Sequence, residues 1–231
     1  MPGRRELLDR DLEAAVAEAL GCDERLRGPE LSVRADGGVL HLRGSADTAG
    51  ELDRVREVLG RLAGVQAVWD RVTVAGREPV AVDLGCGDVR QDPEAYGVDL
   101  VPSPAVDVVA DLACGLPFCD SGVDRLYAVH IVEHVRDMLA LLDECHRVLR
   151  PGGLLHVLCP DRRHVNAYAD PTHVRYLDVQ TIKHVCVPRR GMRCWWPRHV
   201  SSDGITVFAD LAPVPPGGRP AGPDRLARFF D

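Results

Sequence analysis

Through residues 5–20 apolar positions recur at helical spacing, with Leu8, Leu12, Ala15, Val16 and Ala19 on one face and acidic residues on the other, which predicts an amphipathic helix. The period then changes. LSVRADGGVLHLRG alternates apolar and polar residues on both sides of Asp36-Gly37-Gly38, where glycine supplies positive φ at no steric cost, so a hairpin is predicted. Thr48 followed three residues later by Glu51 is a capping box. It opens a second helix with Leu52, Val55, Leu59 and Leu62 on one face, stopped at Gly64. VQAVWDRVTV reads as a third strand, giving the order α-β-β-α-β.

After AGREP, a short linker at 75–79, strands alternate with helices, the pattern of a parallel sheet. Candidate strands are 80–84, 95–99, 106–110, 124–130 and 154–158. A helix is predicted over 137–149, with Leu141, Leu142, Cys145 and Val148 on its apolar face and Arg150-Pro151-Gly152-Gly153 as its breaker. The residues from Pro213 are rich in Pro and Gly and end in LARFFD, which predicts an extended tail with a short helical turn at most. The expected organisation is thus a small domain at 5–75, a larger one at 76–212 and a tail at 213–231.

Length and composition narrow the function. The chain has 231 residues, 45% of them hydrophobic, enough for one medium domain or for a small domain plus a compact α/β domain, which excludes disorder as its main state. No apolar run approaches the roughly 20 residues that span a bilayer, and MPGRRELLDRDLEAAV has no apolar signal-like core, so a cytoplasmic location is expected. The eight cysteines form no CxxC pair and read as reduced thiols. A net charge of −7 argues against a general nucleic-acid binder. That charge is uneven: residues 80–160 hold 13 acidic against 5 basic side chains, whereas residues 161–199 hold 8 basic against 3 acidic.

The strongest chemical signal is VAVDLGCGDVRQ at 80–91. A buried strand ends in Asp83-Leu84-Gly85-Cys86-Gly87, which puts the glycines at the carboxyl edge of the sheet, where open α/β folds bind ligands. A second strand ends at Asp99, an acid suited to the two hydroxyls of a ribose, and a third at Asp111-Leu112, suited to an exocyclic amine such as that of adenine. Together they would line a pocket for an adenosine bearing no phosphate. Only eleven residues separate Gly87 from Asp99, and Pro93 lies among them, so a loop rather than a helix is expected there.

Two resemblances follow from these stretches. The DGGVLHLRGSA hairpin, the helix after it and the LAGVQAVWDRVTV ending resemble a BON domain, which implies a docking module for a protein or a membrane surface, without catalytic residues. VDLGCG, YGVDL, VADLACGLPF, DRLYAVHIVEHV, HRVLRPGGLLHVLCP and ADPTHVRY resemble the class I S-adenosylmethionine-dependent methyltransferases, especially the type 11 group, over residues 80 to about 176. The implied architecture is a Rossmann-like, mainly parallel α/β sheet behind a small α+β domain. The resemblance implies S-adenosyl-L-methionine as cofactor, with the Gly85-Cys86-Gly87 turn along its methionine part and Asp83 orienting that turn. It further implies Asp99 and Leu100 at the ribose, Asp111 and Leu112 at the adenine, and His130 on the loop beneath it.

The segment after the fifth strand, PDRRHVNAYADPTHVRYL, is the expected acceptor side, with His164, Asp170 and Arg175 as substrate-side candidates, His134 beside them, and His173 as the candidate base. Tyr168, Tyr176, Trp195 and Trp196 could wall a planar acceptor or simply pack. The basic excess of 161–199 suggests an anionic acceptor. His130-Ile131-Val132-Glu133-His134 formally matches the H-x-x-E-H zinc pattern. His130 closes a strand, however, so the two histidines are not expected on one helical face, and Glu133 is expected at a helix start. His184, Cys186, Cys194 and His199 fit no common zinc spacing, and no metal is expected. The reading from another class is a catalytically inactive methyltransferase fold serving as a binding or scaffold protein with a BON docking module.

Overall fold

The computed structural model describes residues 4–26 and 28–230, which divide into two compact units at Pro79/Val80. In the first, α1 (Arg4–Cys22) and α2 (Ala49–Leu59) accompany a three-stranded sheet of β1 (Glu30–Asp36), β2 (Val39–Ala46) and β3 (Ala67–Val74). β1 and β2 form the antiparallel hairpin, and β3 returns parallel to β2 after α2. The Thr48–Glu51 capping box is present in full, which fixes where α2 begins. Leu52, Val55 and Leu59 are buried as their spacing predicts. α1 differs: Leu12 and Val16 are buried, while Leu8 is 59% exposed and Ala15 is also exposed. Only one i, i+4 row of this 19-residue helix, Leu12, Val16 and the partly buried Leu20, meets the core, while its first turns reach the hairpin through the polar Arg5 and Asp9.

The second unit is a seven-stranded sheet in the order β6-β5-β4-β7-β8-β10-β9. Its strands are β4 (Ala81–Leu84), β5 (Tyr96–Asp99), β6 (Val108–Val109), β7 (Val123–Val129), β8 (Leu149–Pro160), β9 (Trp195–Ser202) and β10 (Thr206–Pro213). The strands from β6 through β8 are parallel, and β10 is inserted antiparallel to both β8 and β9. From β4 the chain moves outward to β5 and β6, then crosses back to β7 on β4's other side. The switch point therefore lies between β4 and β7, and the crevice beyond their carboxyl ends is where such sheets bind ligands.

α3 (Met138–Val148) is capped by Asp137 and buries Leu141, Leu142, Cys145 and Val148. It passes directly into β8, so Arg150-Pro151-Gly152-Gly153 lies within that strand and the sheet takes up the irregularity as a register shift. α4 (Asn166–Ala169) and α5 (Val179–Cys186) follow β8. The expected tail is corrected from Pro223 onward: α6 (Pro223–Phe230) is a two-turn helix whose Phe230 is buried. The aromatic end of LARFFD finds core to bury against, and Gln180 Nε2 donates to the Phe230 carbonyl at 2.8 Å. Among the described residues no helix is long and apolar enough to cross a membrane.

Candidate active site

Four strand ends converge at the switch point. β4 ends at Leu84 and turns through Gly85 (φ +67°) and Gly87 (φ +56°), backbone that L side chains rarely adopt. A Cβ on Gly85 would sit 2.5 Å from Ile131 Cδ1, so this glycine also lets the loop after β7 close over the turn. A Cβ on Gly87 would meet nothing within 4 Å, so the turn faces open space there. No helix follows: residues 88–95 form a loop pinned by Arg90, which donates to the Ala105 carbonyl at 2.6 Å and the Ala95 carbonyl at 2.9 Å and pairs with Asp107 at 3.0 Å.

Asp83 is buried and accepts from the Gln91 amide at 2.7 Å, so it ties the loop's far end and points at backbone rather than at open space. Burial pushes its carboxyl up to about 6 from 3.8, against the opposing pull of the Gln91 amide and Arg90. Cys86 is also turned inward, its thiol 3.6 Å from the Ala105 carbonyl, which leaves only its backbone to the turn's outer face.

Asp99, at the end of β5, accepts from the Gly87 amide (2.9 Å) on Oδ2 and from the Val101 amide (2.9 Å) on Oδ1. An ionised carboxylate offers about four acceptor directions, so each oxygen keeps capacity for one more donor. Asp111 caps the 3-10 turn Leu112–Cys114 through the Ala113 amide (2.9 Å) and is exposed, while Leu112 is buried beside it. Leu100 is exposed. His130 closes β7 with φ +53°, and its Nδ1 stands 3.3 Å from Glu133 Oε1. Ser103, which no motif singles out, donates to the Gly87 carbonyl at 2.7 Å; it lies 16 residues away with no local signal.

A second cluster forms between the loops that follow β7 and β8. The Val174 amide donates to the Glu133 carbonyl at 2.9 Å, and Arg175 donates to the carbonyls of Val135 (3.2 Å) and Arg136. Arg175 is therefore committed to joining the loops. Glu133 lies in a turn, not at a helix start, because α3 begins only at Met138; its side chain is 2% exposed. Asp170 accepts from the Thr172 amide (2.8 Å) and hydroxyl (2.6 Å), which holds its carboxyl below the usual range. Thr172 Oγ1 is 3.0 Å from His134 Nδ1, and His173 Nδ1 is 2.8 Å from the Ala167 carbonyl. His134 and His173 meet edge to face with ring centroids 4.7 Å apart. His164 is occupied locally, accepting from the Asn166 amide at 3.2 Å.

Trp195 is fully buried against His146, so it packs rather than walls a pocket; Tyr168 and Tyr176 are an exposed pair with centroids 4.4 Å apart. The basic segment 161–199 does not form one surface. Thr206 pairs with Pro160 and Pro213 with Trp195, so β9 begins at the edge opposite the one where β8 ends. Arg189, Arg190 and Arg193, just before β9, accordingly lie at the amino edge, away from the four strand ends. Arg193 helps line a cleft there with Asp120, Ser121, His146, Arg147 and Pro215. At the carboxyl edge, Arg162 and Arg163 are paired with Asp178 and Asp161.

Residues 8–76 match the family described as BON domain, and residues 64–157 the one described as methyltransferase domain. The overlap at 64–76 falls in the first unit, where it contains β3. A probable S-adenosylmethionine-dependent methyltransferase from Mycolicibacterium smegmatis is 30% identical over 49% of this chain and 52% of its own. One from Mycobacterium tuberculosis is 29% identical over 57% and 47%. The chain thus spans about half the length of the curated relatives it matches. A solved SAM-dependent methyltransferase from Aquifex aeolicus is 17% identical, covering 58% of this chain and 82% of that one with a TM-score of 0.42, too loose to add to the family match. The chain is thus similar to BON domains over residues 8–76 and to methyltransferase domains over residues 64–157, and the mainly parallel sheet of its second unit is Rossmann-like.

Proposed function

We propose that the second unit binds S-adenosyl-L-methionine at the carboxyl edge of its sheet and transfers the methyl group to an acceptor held by the loops after β7 and β8. The observation that carries this reading is Asp99: its carboxylate is fixed by two backbone amides and keeps acceptor capacity beside a glycine turn open to ligand. That fits a ribose diol, and the exposed Asp111 beside buried Leu112 fits an adenine with one amine and one apolar face. Gly85 and Gly87 hold the methionine part through their backbone, Asp83 holds the loop that shapes the turn, and His130 closes the floor.

When bound, the cosubstrate supplies a methyl group on a positively charged sulfur, a leaving group already activated, so the protein's work is alignment and exclusion of water. A base is needed only if the acceptor must lose a proton. His173 suits that role, because its Nδ1 donates to the Ala167 carbonyl and the neutral ring therefore keeps its lone pair on Nε2. An anionic acceptor stays within the proposal on narrower ground, the exposed Arg136 at this edge, since Arg162 and Arg163 there are already paired with Asp178 and Asp161. The first unit serves as the docking module.

The full chain, incubated with methyl-labelled S-adenosylmethionine and a fractionated lysate, is expected to label an acceptor and to lose the labelling in Asp99→Ala. No transfer in any fraction, with S-adenosylhomocysteine still bound, would overturn the enzymatic reading in favour of a binding protein.

A further inference from the structure

The turn after β7 and the DPTH loop after β8 bring together three side chains that the cofactor site does not use. One ligand atom from each of Glu133, His134 and His173 lies within 4.8 Å of those of the other two. Around a zinc ion, bonds of about 2.0–2.2 Å place neighbouring ligand atoms about 3.4 Å apart, so the three need to close by little more than an ångström.

The protonation pattern suits metal ligation. His173 Nδ1 faces a carbonyl, which only accepts, so it carries the ring proton and Nε2 is left as the donor atom for a metal. Thr172 spends its one hydroxyl hydrogen on Asp170 Oδ1 at 2.6 Å, so toward His134 Nδ1 it can only accept. His134 is thereby fixed in the same tautomer, with a carboxylate relayed behind it through the hydroxyl. Metal-binding histidines regularly have such outer partners, which orient the ring and raise its basicity.

Glu133 supplies the independent observation. Its side chain is only 2% exposed. Oε1 faces His130, whereas Oε2 is buried with no hydrogen-bond partner. A buried carboxylate oxygen left unpaired is costly, and an ion among these three residues would satisfy it. The loops are also braced before any ion arrives, by the Val174 amide on the Glu133 carbonyl and by Arg175 on two further carbonyls.

We propose that Glu133, His134 and His173 bind one divalent first-row transition-metal ion, zinc above the others. Two imidazoles and one carboxylate disfavour calcium and magnesium, which take oxygen ligands, and the absence of thiolate disfavours copper(I). Three protein ligands leave a coordination position open for water or for an oxygen or nitrogen of the acceptor. That last role rests on the methyltransferase reading; the metal site does not, and with the ion bound His173 is a ligand rather than a base. The H-x-x-E-H letters thus contribute their last two residues, with His173 from 39 residues beyond His134 in place of His130.

The test is titration of the metal-stripped full chain with cobalt(II), followed by visible absorption, and by S-adenosylhomocysteine calorimetry on the same samples. The expected result is one equivalent of cobalt with weak d–d bands, displaced by zinc, no thiolate charge-transfer band, and at least hundredfold weaker binding in His173→Ala and His134→Ala. His184→Ala is expected to retain the full equivalent. Glu133→Gln is a further arm, and the two partly exposed histidines keep the test decisive if that buried variant does not fold. Failure of the wild type to bind one equivalent, a thiolate band, or wild-type affinity in either histidine variant would overturn the site. Those outcomes stand apart from the calorimetry, which reads the cofactor assignment alone.

Discussion

The two units use their polar residues differently. In the first, Asp9 accepts from both amides of the Gly37-Gly38 turn (3.0 and 3.1 Å), Glu13 from the Ala35 amide (2.9 Å), and Thr48 and Glu51 cap α2. Arg56 clamps Asp53 at 2.7 Å and Asp70 at 2.8 Å, the latter with a fully buried side chain. These groups close turns, ends and core. In the second unit Asp99 and Asp111 also hold backbone, yet both keep acceptor capacity at a strand end, and Glu133 buries an oxygen that nothing in the fold satisfies. A functional site shows where polar capacity exceeds what the fold consumes.

That contrast can be broken most severely at Asp70. Asp70→Ala leaves Arg56 buried without its main partner and is expected to cost about 3–5 kcal/mol, seen as an earlier transition in urea. S-adenosylhomocysteine affinity of the full chain, measured where it remains folded, is expected to stay unchanged. A parallel loss of affinity would mean that the first unit contributes to the site.

Asp83 is the next lever. Its folded pKa of about 6 stands above the ordinary 3.8, so its stabilising contribution is complete below about pH 4 and is lost as pH rises through about 6. Asp83→Asn carries no charge to bury. Relative to wild type, its unfolding free energy from urea titration is therefore expected to improve between pH 4 and pH 8, by up to about 3 kcal/mol. A constant difference across that range would show that the carboxyl is not buried as described.

The smallest effect concerns Arg189 and Arg190. Because β9 starts at the amino edge, reversing both to Glu is expected to change stability by less than about 0.5 kcal/mol and methyl transfer by less than about twofold. A several-fold loss would return these arginines to the acceptor side.

Where the sequence carried a local signal, the elements followed it: the hairpin glycines, the Thr48–Glu51 box, and the strands leading to Asp83, Asp99 and Asp111. What it hid was long-range. Leu8 has the period of a core residue but is exposed, because at that turn of α1 it is Asp9 that faces the sheet, at the Gly37-Gly38 amides. The Pro/Gly run before α6 disguised a helix whose apolar end finds its core only in three dimensions. A run of arginines reads as one patch in sequence, yet α5 carries the chain from one sheet edge to the other. Glu133 and His173 are far apart in the chain and meet only because β7 and β8 are parallel neighbours.

The central claim is that the strand ends of the second unit hold the adenosyl group, and calorimetric titration of the full chain with S-adenosylhomocysteine tests it most directly. Wild type is expected to bind one equivalent. Asp99→Ala is expected to weaken binding by about hundredfold, from two lost charge-assisted hydrogen bonds, and Asp111→Ala by about tenfold. No binding by the wild type, or wild-type affinity in both variants, would contradict the account.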